Sequence, residues 1–174
     1  MIIEKAAIIA LGSNLVLEDT SSIATLESAI RELQALSSRP LITSSIWQTD
    51  PLDCPPGSPV FMNAIVALDV ATNTDPEVLL QRLQRIETRF GRYKSEILNA
   101  PRVLDLDFIS FAGKAVQTVS LVLPHPRAHL RRFVLQPLCE IAPRLVLPGQ
   151  ENSVSELLLG LKSQGNLIKI ELSN

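Results

Sequence analysis

The chain has 174 residues, of which 46% are hydrophobic, 20% charged and only 4% aromatic. This length predicts one domain, residues 1–174, with room for a core and a cleft, and excludes a multidomain enzyme; the apolar content excludes a disordered chain. Sixteen Lys and Arg against eighteen Asp and Glu leave a formal charge of -2, so the overall basic excess of a general nucleic-acid binder is absent.

In chain order, Ala6 to Leu11 is an apolar run of strand length, followed by a small polar turn, Gly12-Ser13-Asn14. Ile23, Leu26, Ile30 and Leu33 recur at helical spacing behind the caps Ser21 or Ser22, and predict a helix ending near Ser37. Leu41 to Trp47 is rich in β-branched residues and predicts a strand. The segment Asp50 to Pro59 carries Pro51, Pro55, Pro56, Pro59 and Gly57, which remove backbone donors and dictate an irregular loop. Phe61 to Val70 resumes as a strand. Asp75-Pro76-Glu77 then supplies an N-cap, a proline at the first helical position and an acid at the positive helix end. The apolar stripe Leu79, Leu80, Leu83, Ile86, Phe90 follows, and Gly91 ends the helix.

Val103 to Phe111 alternates as a strand, which completes β-α-β-β-α-β over the first part of the chain. That order predicts an α+β fold with a ferredoxin-like core, an antiparallel sheet covered by two helices. C-terminal additions follow: a hairpin from Gly113 to Leu123, turns around Pro124-His125-Pro126, a short helix from Val154 to Leu161 and a last strand from Leu167 to Leu172. Cys54 and Cys139 lie far apart with no CxxC or histidine spacing around either, so neither a disulfide framework nor a zinc site is indicated. No stretch reaches the ~18–20 apolar residues of a membrane helix. The expectation is a cytoplasmic protein with no membrane partner.

The sharpest chemical feature is Asp105-Leu106-Asp107. Residues two apart on a strand point the same way, so both carboxylates project from one face and repel. Such a pair suits a hard divalent cation, since Mg²⁺ takes one or two protein carboxylates and fills its shell with phosphate oxygens and water. A solvated strand face with two incidental acids is the plainer alternative. The neighbourhood favours the metal: Arg82, Arg85, Arg89, Arg92, Lys94 and Arg102 precede the pair, and Arg127, Arg131 and Arg132 follow it. Guanidinium forks beside a magnesium-binding pair match a polyphosphate. Arg82, Arg85 and Arg89 fall at helical spacing and are expected on a solvated face, whereas Arg92, Lys94 and Arg102 flank a loop. No GxxxxGK[ST] or GxGxxG occurs, so no glycine cradle holds a nucleotide here.

His125 and His129 lie four apart, but Pro124 and Pro126 bracket the first, which argues against a helical metal pair and for a phosphate donor or a turn residue. Phe61 and Asn63 share a strand face, and Phe133 follows Arg131-Arg132. Two aromatic faces and a carboxamide would suit a nucleobase or a pterin, with core packing of both Phe as the alternative. A ferredoxin-like module binding RNA would need sheet aromatics in an RNP1 pattern and a basic sheet, and neither is visible.

The run Ala100-Pro101-Arg102-Val103-Leu104-Asp105-Leu106-Asp107-Phe108-Ile109 closely resembles 6-hydroxymethyl-7,8-dihydropterin pyrophosphokinase. So do Leu123-Pro124-His125-Pro126-Arg127, the stretch from Arg131 to Leu138, Glu140 to Pro143, the opening Ala10 to Leu15, and Thr49 to Asn63. The resemblance implies transfer of the β,γ-diphosphate of ATP to the hydroxymethyl group of 6-hydroxymethyl-7,8-dihydropterin, with release of AMP; a monomer is expected. It implies that Asp105 and Asp107 hold two Mg²⁺. Gln84, Glu87, Arg92, Lys94, Arg102, His125 and Arg131 match positions at the nucleotide, Arg92 and Arg102 being catalytic. Thr49, Leu52, Phe61, Asn63 and Phe133 match the pterin pocket. The chain departs from the family pattern at Leu98 and Asn99, where a basic residue and a tryptophan are frequent, and at Phe61, where tyrosine is frequent.

Overall fold

The computed structural model describes residues 2–16, 19–71, 73–91 and 100–171. Its centre is strand β1 (Ala7–Ser13), buried at all seven positions. β1 pairs on one side with β4 (Phe61–Leu68) and on the other with β5 (Asp105–Phe111), both antiparallel. β4 also pairs with β2 (Ile42–Thr43) and β3 (Trp47–Thr49), and β3 takes a last strand, β8 (Leu167–Lys169), on its outer edge. The order β5-β1-β4-β3-β8 contains the ferredoxin-like arrangement, extended by one strand. A separate two-stranded ribbon joins β6 (Val116–Gln117) to β7 (Val122–Leu123).

The burial of β1 at every position is explained by two cores, one on each sheet face. Beneath one face lie helices α1 (Ser22–Gln34) and α2 (Pro76–Arg89), which contribute Leu26, Ala29, Leu33, Leu79, Leu83 and Ile86. Ser21 caps α1 by accepting from the Ala24 amide, and Asp75 caps α2 by accepting from the Glu77 amide, as their positions predict. The opposite face is covered by α3 (Arg132–Ile141), with Val134, Leu135 and Leu138 on Ile8, Ile65 and Ile109, and by Val154 of α4 (Val154–Gly160). Leu157, Leu158 and Leu161 pack against this second core. Among the described residues no helix is long and apolar enough to cross a membrane.

Three local differences from the sequence pattern have physical causes. The strand expected from Leu41 to Trp47 divides because Ser44 and Ser45 divert hydrogen bonds: the Ser44 hydroxyl accepts from the Ile65 amide, and Ser45 turns its amide and hydroxyl to Glu140. The alternation of β5 reverses near its end, where Ile8 faces Ser110 and Ile9 faces Phe108. Ile109 is thus the extra residue of a bulge, which lets Phe108 and Phe111 enter the same core. Helix α3 forms where the sequence pattern predicts no helix, because Pro137 in its interior reads as a helix breaker.

Glu140 joins α3 to the sheet. Its carboxylate accepts from the Ser45 amide (2.9 Å), the Ser45 hydroxyl (2.7 Å), the Trp47 indole (3.3 Å) and the Lys169 ammonium (2.7 Å). Burial pushes this carboxyl up, but the donors on Lys169, Ser45 and Trp47 outweigh it and hold the pKa at about 2. The folded value lies below that of an unfolded glutamate, so this stabilisation is full above the unfolded pKa and is lost as pH falls toward 2. Because solvent screens this partly exposed carboxylate, Glu140→Gln should cost about 1 kcal/mol at neutral pH and flatten the acid limb of the stability curve, as read by denaturant titration from pH 7 down. An acid limb identical to that of the parent protein would contradict this role.

Candidate active site

Before the bulge, Leu106 and Phe108 of β5, with Leu104 just ahead of the strand, enter the core with α1 and α2. Asp105 and Asp107 consequently face the side covered by α3, as do Ala10 and Gly12 of β1 and Phe61 and Asn63 of β4. Where α3 begins, the sheet is left uncovered, and a cleft of about 160 Å³ opens there. Its lining brings together Thr49, Leu52, Phe61, Asn63, Arg102, Asp105, Asp107, His125, Arg131 and Phe133.

Each side chain is held from a different part of the chain. Arg102 donates from its guanidinium to Asp105 Oδ2 at 3.0 Å and to the Ala100 carbonyl at 3.3 Å. Its backbone is fixed by Asn14, whose Oδ1 accepts from the Arg102 amide (2.8 Å) and whose own amide donates to the Arg102 carbonyl (3.1 Å). Asn14 also donates to the Pro59 carbonyl (3.3 Å), so one buried carboxamide ties the end of β1 to both flanking loops. Arg131 donates to Asp107 Oδ2 at 3.3 Å, and its guanidinium lies 5.3 Å from the centre of the Phe133 ring. Asn63 donates to the Thr49 hydroxyl (2.8 Å), which leaves its carbonyl oxygen as an acceptor beside Gly12.

His125 follows the cis Leu123–Pro124 peptide and donates its amide to the Ile109 carbonyl (2.8 Å). Its Nδ1 accepts from the Arg127 amide (3.2 Å), so the neutral ring carries its proton on Nε2. Burial pushes the imidazole pKa down, against the opposing charge of Asp107. Burial also pushes the Asp107 carboxyl up, and the charge of Asp105 adds to the effect, while His125, Arg131 and Arg102 oppose it. A buried acid raised by a neighbouring acid is a place where a divalent cation relieves repulsion. Among the described residues no group of three or more His, Cys, Asp and Glu gathers for a metal. Asp105 and Asp107 alone, with open positions left for phosphate and water, fit Mg²⁺ better than a metal needing a full protein shell.

Not every expected residue lines the cleft. Gln84 is exposed on α2. Glu87 is buried, and its Oε1 accepts from the Leu106 amide at 2.7 Å, so it covers the outer edge of β5 on the α2 side. Its position one residue after Ile86 and four after Leu83 placed it beside the apolar stripe, a signal that it would be buried. Arg82, Arg85 and Arg89 are exposed on α2, and Arg89 pairs with Glu32. His129 lies in a short turn, Ala128–Leu130, outside the cleft lining. Arg92, Lys94, Leu98 and Asn99 lie outside the described residues. Arg127, one of the basic residues that follow the acidic pair, lines the cleft, as do Gly12, Asp50, Asp53 and Cys54, for which the sequence pattern suggests no site role. Asp50, Asp53 and Cys54 sit in a loop, where no periodicity shows which way a side chain faces.

Known proteins resemble this chain in sequence and in fold. Residues 8–143 match the family model of 7,8-dihydro-6-hydroxymethylpterin-pyrophosphokinase. The chain is 38% identical over 146 residues to the 2-amino-4-hydroxy-6-hydroxymethyldihydropteridine pyrophosphokinase of Haemophilus influenzae, covering 83% of this chain and 86% of that protein. It is 37% identical over 157 residues to the protein of the same name from Pseudomonas aeruginosa, covering 90% and 92%. Among solved structures, wild-type Plasmodium falciparum HPPK-DHPS superposes with a TM-score of 0.67 at 14% identity, over 88% of this chain. The chain spans 44% of the length of that solved chain, and the likeness concerns the fold.

Proposed function

The chain belongs to the 7,8-dihydro-6-hydroxymethylpterin-pyrophosphokinase family, and from that premise we propose that it transfers the β,γ-diphosphate of ATP to 6-hydroxymethyl-7,8-dihydropterin in folate biosynthesis. The observation that carries this reading is the co-location, in one cleft, of a carboxylate pair with arginines and of two phenylalanines with a buried carboxamide. The first set suits a metal polyphosphate and the second a flat heterocycle. Residues 1–174 are read as one pyrophosphokinase domain, since both cores share a single sheet.

The hydroxymethyl oxygen attacks the β-phosphorus, the bond from that phosphorus to the α,β-bridging oxygen breaks, and AMP leaves with the bridging oxygen. The hydroxyl proton passes to solvent. Asp105 and Asp107 would hold two Mg²⁺, which neutralise phosphate charge and lower the pKa of the attacking hydroxyl. Arg102 and Arg131, each engaged with one carboxylate, would turn to phosphate oxygens and stabilise the charge that develops during transfer. His125 donates from Nε2 to a phosphate oxygen. Arg92, Lys94 and Gln84 add nucleotide contacts by their match to the family pattern. Glu87 acts indirectly, by fixing the strand that carries the two acids.

On the pterin side, Phe61 and Phe133 stack on the ring, Leu52 covers it, and the Asn63 carbonyl oxygen accepts from its N–H groups. Thr49 keeps the Asn63 carboxamide from rotating. Positioning of the two substrates supplies most of the acceleration, as is general for phosphoryl transfer.

Gly12 forms the floor between the two sets. A Cβ there would stand 3.3 Å from Asn63 Oδ1 and 3.8 Å from the Phe61 ring. Because Thr49 holds the carboxamide, Gly12→Ala is expected to weaken pterin binding about tenfold, the equivalent of losing one good contact. An unchanged pterin dissociation constant by fluorescence titration would contradict that placement. The function itself is tested by incubating the protein with ATP, Mg²⁺ and 6-hydroxymethyl-7,8-dihydropterin. AMP that forms only with the pterin supports the reading; ADP as the nucleotide product contradicts it.

A further inference from the structure

The chain beyond residue 143 lies outside the stretch matched by the family model, yet one short piece of it touches both walls of the cleft. The first contact is Gln164. Its Oε1 accepts from the Arg132 amide at 2.8 Å, and its Nε2 donates to the Leu130 carbonyl at 2.7 Å. Helix α3 begins at Arg132 and has no side-chain cap of its own. The Gln164 carboxamide therefore serves a helix start that would otherwise leave its first donor unsatisfied. It also clamps the backbone on either side of Arg131, the residue that reaches Asp107 and lies over Phe133.

Two residues later the chain seizes the other wall. Asn166 donates from its amide (2.9 Å) and its carboxamide (3.0 Å) to Asp50 Oδ2, and its carbonyl accepts from the Asp50 amide (3.3 Å). Leu167 then pairs with Thr49 as β8 begins. Gly165 makes the passage between the walls. It has φ +84, and a Cβ there would meet Asp50 Oδ2 at 3.0 Å, so only glycine can bring the chain this close.

We propose that Gln164 and Asn166 are positioning residues for pterin binding, forming a strap that fixes the spacing between the wall of Arg131 and Phe133 and the wall of Thr49, Asp50 and Leu52. The proposal rests on the reading of this cleft as a pterin site. Thr49 pairs across the sheet with Phe61, so the second wall carries the other stacking ring. A flat ring held between Phe61 and Phe133 loses contact with one of them if the gap widens by a fraction of an ångström, because dispersion attraction falls steeply with distance. The strap sets that gap from outside, without touching the ring.

The test compares Gln164→Ala, Gln164→Glu and Lys169→Ala, measuring the dissociation constant of 6-hydroxymethyl-7,8-dihydropterin calorimetrically with Mg²⁺ and a non-hydrolysable ATP analogue present, and Tm for each. Lys169 is the control. It lies in the same segment but bonds Glu140 rather than the cleft. Gln164→Ala should weaken pterin binding about tenfold, and Gln164→Glu, which keeps the acceptor for Arg132, about threefold. Lys169→Ala should lower Tm with its pterin affinity within about twofold of the parent protein, a difference of under half a kcal/mol. Should Gln164→Ala fail to fold, Gln164→Glu carries the same comparison at smaller amplitude. Parental pterin affinity in folded Gln164 variants would overturn the proposal, as would a loss in Lys169→Ala as large as that in Gln164→Ala. Parent protein that binds no pterin would overturn the reading of the cleft itself, and the strap with it, before any variant is compared.

Discussion

Asp105→Ala and Asp107→Ala should each abolish diphosphate transfer while leaving the fold intact. Metal stabilisation of transition-state charge is worth several kcal/mol, and each 1.36 kcal/mol is tenfold in rate, so a loss of about three orders of magnitude in kcat is expected. The fold survives because neither acid belongs to a core: both project into the cleft, and the strand they occupy is held by Leu104, Leu106, Phe108 and Phe111. Asp107 in particular is an electrostatic burden in the free protein, since burial and Asp105 push its carboxyl up. A group with a raised folded-state pKa is most favourable when protonated, so its cost appears as pH rises through that value. Asp107→Asn should consequently match or exceed the parent Tm at neutral pH while losing activity. Mg²⁺ titrations followed by Tm give a second readout, in which the parent protein is stabilised and the Asp105, Asp107 double variant is not. Turnover near the parental rate in either single variant would contradict the two-carboxylate assignment.

Arg102→Ala is expected to lower kcat by about 10²- to 10³-fold, the usual cost of removing a preorganised donor aimed at developing charge. The pterin dissociation constant should stay within a factor of about two, because Arg102 serves the carboxylate and phosphate set and not the ring-binding set. The structure supplies the reason for such preorganisation. Arg102 is anchored through its backbone by Asn14 on both its amide and carbonyl, and its guanidinium spans the Ala100 carbonyl and Asp105. Arg102→Lys should recover little, since an ammonium cannot reproduce the planar fork. If pterin affinity falls while kcat is retained, Arg102 belongs to the other set and the assignment fails.

The sequence pattern carried the central sheet and the two helices of the first core because their signals are local. Alternation, a 3.6-residue stripe and the caps Ser21 and Asp75 lie within a few residues of what they specify. The acidic pair was legible for the same reason, since a two-residue step on a strand sets a common face. What escaped depends on contacts between distant segments. Helix α3 was hidden by Pro137, whose missing donor is tolerated in a ten-residue helix packed on the sheet. Glu87 matches a position at the nucleotide, and its burial was signalled by the apolar stripe beside it; what no spacing rule reveals is the Leu106 amide, 19 positions away, from which its carboxylate accepts. Asn14 stood in plain view as a turn residue; its grip on Arg102, 88 positions on, is visible only once β1 and β5 are neighbours. The strap at Gln164 is the same kind of feature, an interaction whose meaning lies in what its two ends hold.

The most direct measurement is a structure of the protein bound to a non-hydrolysable ATP analogue, Mg²⁺ and 6-hydroxymethyl-7,8-dihydropterin. Cations are expected on the Asp105 and Asp107 carboxylates, the Arg102 and Arg131 guanidinium groups on phosphate oxygens, and the pterin ring between Phe61 and Phe133 with Asn63 at its edge. A ring bound away from Phe61 and Phe133, or arginines still paired to both carboxylates with the triphosphate held elsewhere, would contradict this arrangement.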